Sequence, residues 1–196
     1  EWERNFKADA FLKWHSEMTD VPIITIAVYL GIIFGVPKIL SKPLPLKKVF
    51  AVWNLGLSIF SICGASRVVP FLYEAFQKNG FEYTICKTPT QWYSSGPVGV
   101  WMMFFIYSKI PELCDTFFLV LRGKNVIFLH WFHHVTVLLY CWHSYHTKIA
   151  SGIWFAAMNY SVHSVMYFYY FMANIGYFKL VRPFAIIITF GQIAQM

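Results

Sequence analysis

The sequence predicts an all-α, polytopic transmembrane helix bundle, and three observations carry that prediction. Hydrophobic residues fill 58% of the 196 positions and charged residues only 13%, about half the charged share of a soluble domain. Mean hydropathy is +0.51. The apolar residues also gather into segments of roughly 20, the length of a helix that crosses a hydrocarbon core. A soluble single-core enzyme, a disordered chain and a disulfide scaffold are excluded; lipid solvates this chain.

The elements follow in order. EWERNFKADAFLKWHSEM at the start is polar and mixed in charge, without the apolar stretch of a secretion signal, so no cleaved leader is expected. The first predicted span is 21–40; Pro37, Pro43 and Pro45 close it and set the turn into the second, 49–73. QWYSSGPVG forms the turn before the third, 97–121, and GKN at 123–125 the tight turn into the fourth, 126–144. The fifth is 149–173 and the sixth 181–196. A stop at Met196 inside an apolar stretch, with no initiator Met, predicts a fragment; 1–196 is expected to be one transmembrane domain truncated in its sixth span. No internal repeat stands out.

A net charge of +7 does not call for nucleic acid, because the basic residues lie in short runs between apolar segments, where they orient a membrane protein. One set of alternate loops holds Lys38, Lys42, Lys47, Lys48, Arg122, Lys124, Lys179 and Arg182; the other holds Lys78, Lys87 and Lys148. Eight against three puts the first set in the cytosol and the N-terminus across the membrane. Cys63, Cys86, Cys114 and Cys141 form no CxxC pair and no metal-ligand spacing.

Ionisable groups inside a span are costly and point to function. In the third span, KIPELCDT puts Lys109, Glu112, Asp115 and Thr116 within an arc of about 120°, where cation and carboxylates can pair; a structural ion-pair network explains this nearly as well. Cys114 points to the opposite side. The fourth span carries HWFHH, with His130, His133 and His134 within about 100°. Three imidazoles on one face suit a metal ligand set, a base or a nucleophile better than they suit a core. Val137 and Cys141 continue that face, although Cys141 is about 10 Å along the axis from His134. In the fifth span NYSVHSVMYFYY aligns Asn159, His163, Met166, Tyr167 and Tyr170; in the sixth TFGQIAQ aligns Thr189, Gln192 and Gln195, which equally suit bonding between helices. Arg67 reads either as a buried partner of the carboxylates or as an anion contact. If each helix turns its polar stripe inward, the stripes line one closed chamber whose remaining Phe, Leu, Ile and Met walls fit a long apolar chain.

These motifs, in this order on successive spans, resemble the KxxExxDT, HxxHH, NxxxHxxMYxYY and TxxQxxQ motifs of the very-long-chain fatty acid elongases, the 3-oxoacyl-CoA synthases. The resemblance covers nearly the whole chain. It implies seven spans, six in a barrel round a narrow tunnel plus one peripheral helix, with the last span missing here. It also implies a multi-pass protein of the endoplasmic reticulum membrane with a lumenal N-terminus. The implied reaction condenses a long-chain acyl-CoA with malonyl-CoA to 3-oxoacyl-CoA, carbon dioxide and CoA, with no metal or cofactor.

On the same resemblance, His133 is the nucleophile that forms an acyl-imidazole, with His163 close to it, and His130 and His134 move protons and orient the ring. Asn159, His163, Gln192 and Lys109 are candidates to stabilise the enolate; Glu112 and Asp115 orient the imidazoles or Lys109, and Tyr167 supports. Arg122, Lys124, Lys179 and Arg182 meet the CoA phosphates. Asn125, five before His130, and FLHWFHH resemble the branch acting on saturated and monounsaturated chains. Homo-oligomers and association with the other enzymes of the elongation cycle are further expectations, as is a disulfide from Cys86 to a partner beyond Met196. The alternative is a membrane di-iron desaturase or hydroxylase, but its roughly eight ligands exceed the seven histidines present, and His15, His143 and His146 lie away from the cluster. A lipid receptor or transporter with a proton relay leaves three clustered histidines without a reason.

Overall fold

The computed structural model describes residues 1–195; Met196, the last residue of the predicted sixth span, lies outside the described residues. Among the described residues there are nine α-helices and no strand: α1 Ala8–Glu17, α2 Asp20–Ile39, α3 Lys47–Cys86, α4 Gly96–Glu112, α5 Cys114–Leu121, α6 Phe128–His146, α7 Gly152–Met172, α8 Phe178–Val181 and α9 Ala185–Ala194. A π-turn over Ala173–Tyr177 joins α7 to α8. Among the described residues three stretches are long and apolar enough to cross a membrane: Asp20–Ile39, Lys47–Cys86 and Gly152–Ala194. The protein is a helical membrane protein, as the composition predicts.

Two expected boundaries change. The second predicted span ends at 73, whereas α3 continues to Cys86 with a break at Gly80, whose φ of 81° and ψ of 173° lie where residues with a Cβ are strained. Hydropathy marks where lipid stops, not where the helix stops. The third predicted span, 97–121, is two helices that meet at Leu113. Pro111 has no N–H to give, and the Leu113 N–H turns to the Ile110 carbonyl at 3.2 Å instead. The arc drawn through Lys109 and Asp115 is therefore interrupted.

The chain divides into two compact units. The first comprises Glu1–Leu46 and Ser94–Ile149. In it α2 packs on α5 and α6, α4 on α6, and α1 on α6, around Phe105, Val100 and Leu138. The Leu44 N–H donates to the Leu121 carbonyl at 2.8 Å, tying the turn after α2 to the end of α5.

The second unit comprises Lys47–Tyr93 and the chain from Ala150 on. Here α3 and α7 run antiparallel, since rising numbers on one meet falling numbers on the other: Ser58 bonds the Ser164 carbonyl, Phe60 meets the Tyr160 ring, and Thr84 accepts from Trp154. Their close approach depends on Gly64, where an added Cβ would stand 2.5 Å from Tyr160 ring carbons. α9 packs on α7, and Leu57, Met166, Tyr167 and Ile188 form a buried core. A groove of about 550 Å³ runs beside α7, lined by apolar side chains including Leu72, Phe76, Trp154, Met158 and Val162.

Candidate active-site residues

Each unit buries polar side chains that the motifs supply. In the first, α4 holds Lys109 and Glu112, 3% and 5% exposed. Lys109 Nζ donates to both carboxylate oxygens, at 2.8 and 2.9 Å, and stands 4.3 Å above the Phe105 ring. Ser108, which no motif singled out, also donates to Glu112 Oε1 at 2.8 Å. Two charges taken out of water are tolerable only when paired and hydrogen-bonded in this way. Just past the break at Leu113, α5 carries buried Asp115 in its first turn, where a carboxylate suits the helix N-terminus, and fully buried Thr116.

α6 brings the three histidines together. The ring centroids of His130 and His134 are 4.8 Å apart and those of His133 and His134 5.8 Å. His133 lies within the field of both Lys109 and Glu112. His130 Nε2 and His133 Nδ1 are buried with no hydrogen-bond partner. An unsatisfied buried polar atom costs about 1–3 kcal/mol, so the cluster leaves two nitrogens to be satisfied by whatever binds. Among the described residues no three His, Cys, Asp or Glu side chains are arranged to hold a metal ion.

In the second unit Asn159, His163, Met166 and Tyr167 of α7 are buried on one face. Asn159 Nδ2 donates to His163 Nε2 at 3.1 Å and to Gln195 Oε1 at 3.3 Å. Since Nε2 accepts, the proton of a neutral His163 sits on Nδ1. The Tyr167 ring stands edge-on to His163 at 5.2 Å, and Gln192 Nε2 donates to Met166 Sδ at 2.8 Å. By helical phase the groove residues Met158 and Val162 lie to one side of this stripe, about 85–125° from its centre, and Gln195, which bonds Asn159, also lines the groove.

Expectations for Tyr170, Thr189 and a buried Arg67 fail. Tyr170, expected on the same stripe, is 38% exposed. Thr189 is exposed and bonds back to the Ala185 carbonyl instead of turning inward with Gln195. Arg67 is exposed on α3; its phase puts it off the Ser61–Gly64–Val68 face that is buried, so it is not buried, as one of its two readings required. Of the four basic residues expected to meet CoA, Arg122 and Lys124 follow α5, Lys179 lies within α8 and Arg182 just after it; all are exposed except half-buried Arg122. Cys114 is half-buried and Cys141 fully buried, and among the described residues no two of the four thiols are paired with each other.

Residues 14–196 match the ELO (GNS1/SUR4) family. The chain belongs to that family. It is 45% identical to fatty acid elongase 3 of Trypanosoma brucei brucei, over 98% of this chain and 72% of that protein. It is 44% identical to a very long chain fatty acid elongase 4 of Trypanosoma cruzi, over 98% and 68%. With the human very long chain fatty acid elongase 6 the identity is 40%, over 100% and 74%. The family drawn from the four motifs is thus borne out.

Besides Ser108, the motifs that mark this GNS1/SUR4 chain do not reach two further buried groups that join helices of the first unit, His15 and Tyr29. His15, set aside as part of a polar N-terminus, is fully buried against α4 and α6. Tyr29, a phenol in the middle of an apolar span, is buried against Thr116. Its position was itself a signal, because a hydroxyl at membrane depth must find a partner.

Proposed function

We propose that this GNS1/SUR4 protein is an acyltransferase of the endoplasmic reticulum membrane. It condenses a long-chain acyl-CoA with malonyl-CoA to a 3-oxoacyl-CoA two carbons longer. The reading draws on relatives named as fatty acid elongases along nearly the whole chain. The single observation that carries its chemistry is the pair of buried, unpartnered nitrogens on His130 and His133, the latter in the field of Lys109 and Glu112.

In the first step a neutral imidazole nitrogen of His133 attacks the thioester carbonyl and the C–S bond breaks. CoA leaves as the thiol with the proton that the imidazole gives up, so the acyl group stays activated on nitrogen. His130 and His134, whose rings adjoin, carry that proton. In the second step malonyl-CoA loses carbon dioxide; its enolate carbon attacks the acyl-imidazole carbonyl and expels the ring as imidazolate, which takes up one proton from water through the adjoining histidines and so returns to neutral imidazole. The enolate oxygen needs fixed donors; the candidates are Lys109 in the first unit and Asn159, His163 and Gln192 in the second. Glu112 and Asp115 orient, and Arg122, Lys124, Lys179 and Arg182 bind CoA phosphates as cations.

The test is incubation of the purified chain with acyl-CoA alone, followed by intact-mass measurement and peptide mapping. The expected result is one acyl group on His133, with CoA thiol released before malonyl-CoA is added. An adduct on Cys141, or none under conditions that give turnover, overturns the covalent step.

A further inference from the structure

α2 carries none of the four motifs, yet it packs on α5 and α6, the two helices that hold Asp115 and the histidines. Its contribution is Tyr29. The side chain is 5% exposed, and its hydroxyl lies 2.8 Å from Thr116 Oγ1, either group donating. Thr116 is itself fully buried and belongs to the first turn of α5, immediately after the break at Leu113. An eight-residue helix is too short to hold its own start in register, so the direction of Asp115 depends on what anchors that turn. Tyr29 also reaches further: its ring centroid is 6.5 Å from that of His134 at an interplanar angle of 57°, and it lies within the field of Asp115.

We propose that Tyr29 is a positioning residue for the histidine cluster. Through Thr116 it fixes the turn that presents Asp115, and its ring walls one side of His134, limiting the orientations open to that imidazole. The Tyr29 hydroxyl forms no bond with substrate. The effect on rate rests on the condensation reading above; the effect on His134 does not.

The experiment uses the full chain in lipid nanodiscs, comparing Tyr29→Phe, Thr116→Val, Thr116→Ser and the double variant Y29F/T116V. Steady-state kinetics are combined with ring ¹⁵N resonances of labelled histidine, His134 being assigned by difference against His134→Gln. Tyr29→Phe is expected to lower kcat about tenfold, a modest misplacement loss, with KM for both CoA substrates changed by less than about twofold. Thr116→Val should lose the same amount, the double variant no more than either single one, and Thr116→Ser should recover most of it. The His134 resonances should move in Tyr29→Phe. Unchanged kcat and unchanged His134 resonances in Tyr29→Phe, or losses that multiply in the double variant, overturn the proposal. If the unsubstituted chain performs no condensation, the reaction proposed above falls, and the His134 resonances alone decide the role of Tyr29.

Discussion

At the scale of single residues, His15 shows how much of the chemistry outside the motifs is set by burial. Its Nε2–H donates to the Trp142 carbonyl at 3.2 Å, so its Nδ1 accepts from the Tyr107 hydroxyl at 2.9 Å; the neutral ring is fully satisfied. Its ring centroid is 4.5 Å from that of Trp142, and it stands edge-on to Tyr145. Burial pushes its pKa below the ordinary 6.5, and nearby His146 lowers it further, against the opposing pull of the Trp142 carbonyl. A folded-state pKa below the unfolded value means that the unfolded chain takes the proton first. The stability that His15 contributes is therefore complete above about pH 6.5 and is lost as the pH falls through the lower folded value. Hydrogen exchange of the α1 amides, corrected for intrinsic rates, should accelerate between pH 7.5 and 5. In His15→Gln, which keeps a donor and an acceptor but does not titrate, that acceleration should vanish. Equal pH slopes in the two proteins would show that His15 is not the titrating group.

At the scale of elements, the contact between α3 and α7 turns on a missing side chain. A Cβ at residue 64 would fall 2.5 Å from Tyr160 ring carbons, and Tyr160 is buried with little room to move. Gly64→Ala should destabilise by about 1–3 kcal/mol, the usual cost of overpacking. Tyr160→Leu in the same chain should return part of that loss, so a double-mutant cycle of thermal unfolding should give a coupling well away from zero. Additive losses would mean that the two helices shift apart at no cost. The sequence could not display this contact, because Gly64 reads as one more small residue in an apolar run. What it did display were polar side chains in apolar surroundings: Lys109 with Glu112, the three histidines, and Asn159 with His163 stand out because burying them is expensive. The break at Leu113 was less legible, since a single proline is tolerated in many membrane helices and periodicity carries on across it. Tyr29 and Gln195 were missed or undervalued for a related reason. Tyrosine and glutamine are common enough near membranes that only a partner, Thr116 for one and Asn159 for the other, reveals what they do.

At the scale of the whole molecule, orientation in the membrane depends on charges that take no part in the clusters. The eight basic residues of one set of loops outweigh the three of the other, and Lys and Arg near helix ends are retained on the cytosolic side. The protein carries its own reporter of this arrangement. Cys86 is exposed at the last residue of α3, close to Lys87 in the poorly basic set, whereas Cys63 is exposed in the apolar middle of the same helix and Cys141 is buried. In a chain that keeps Cys86 alone, expressed in sealed right-side-out microsomes, a membrane-impermeant maleimide should label nothing until detergent opens the vesicles. A second chain carrying only Lys42→Cys should be labelled at once. Thiolates react only where water reaches them, so a lone Cys63 should stay unlabelled in both conditions, which separates shielding by lipid from shielding by sidedness. Prompt labelling of Cys86 in intact vesicles would reverse the orientation, and Arg122, Lys124, Lys179 and Arg182 would then lie across the membrane from cytosolic CoA.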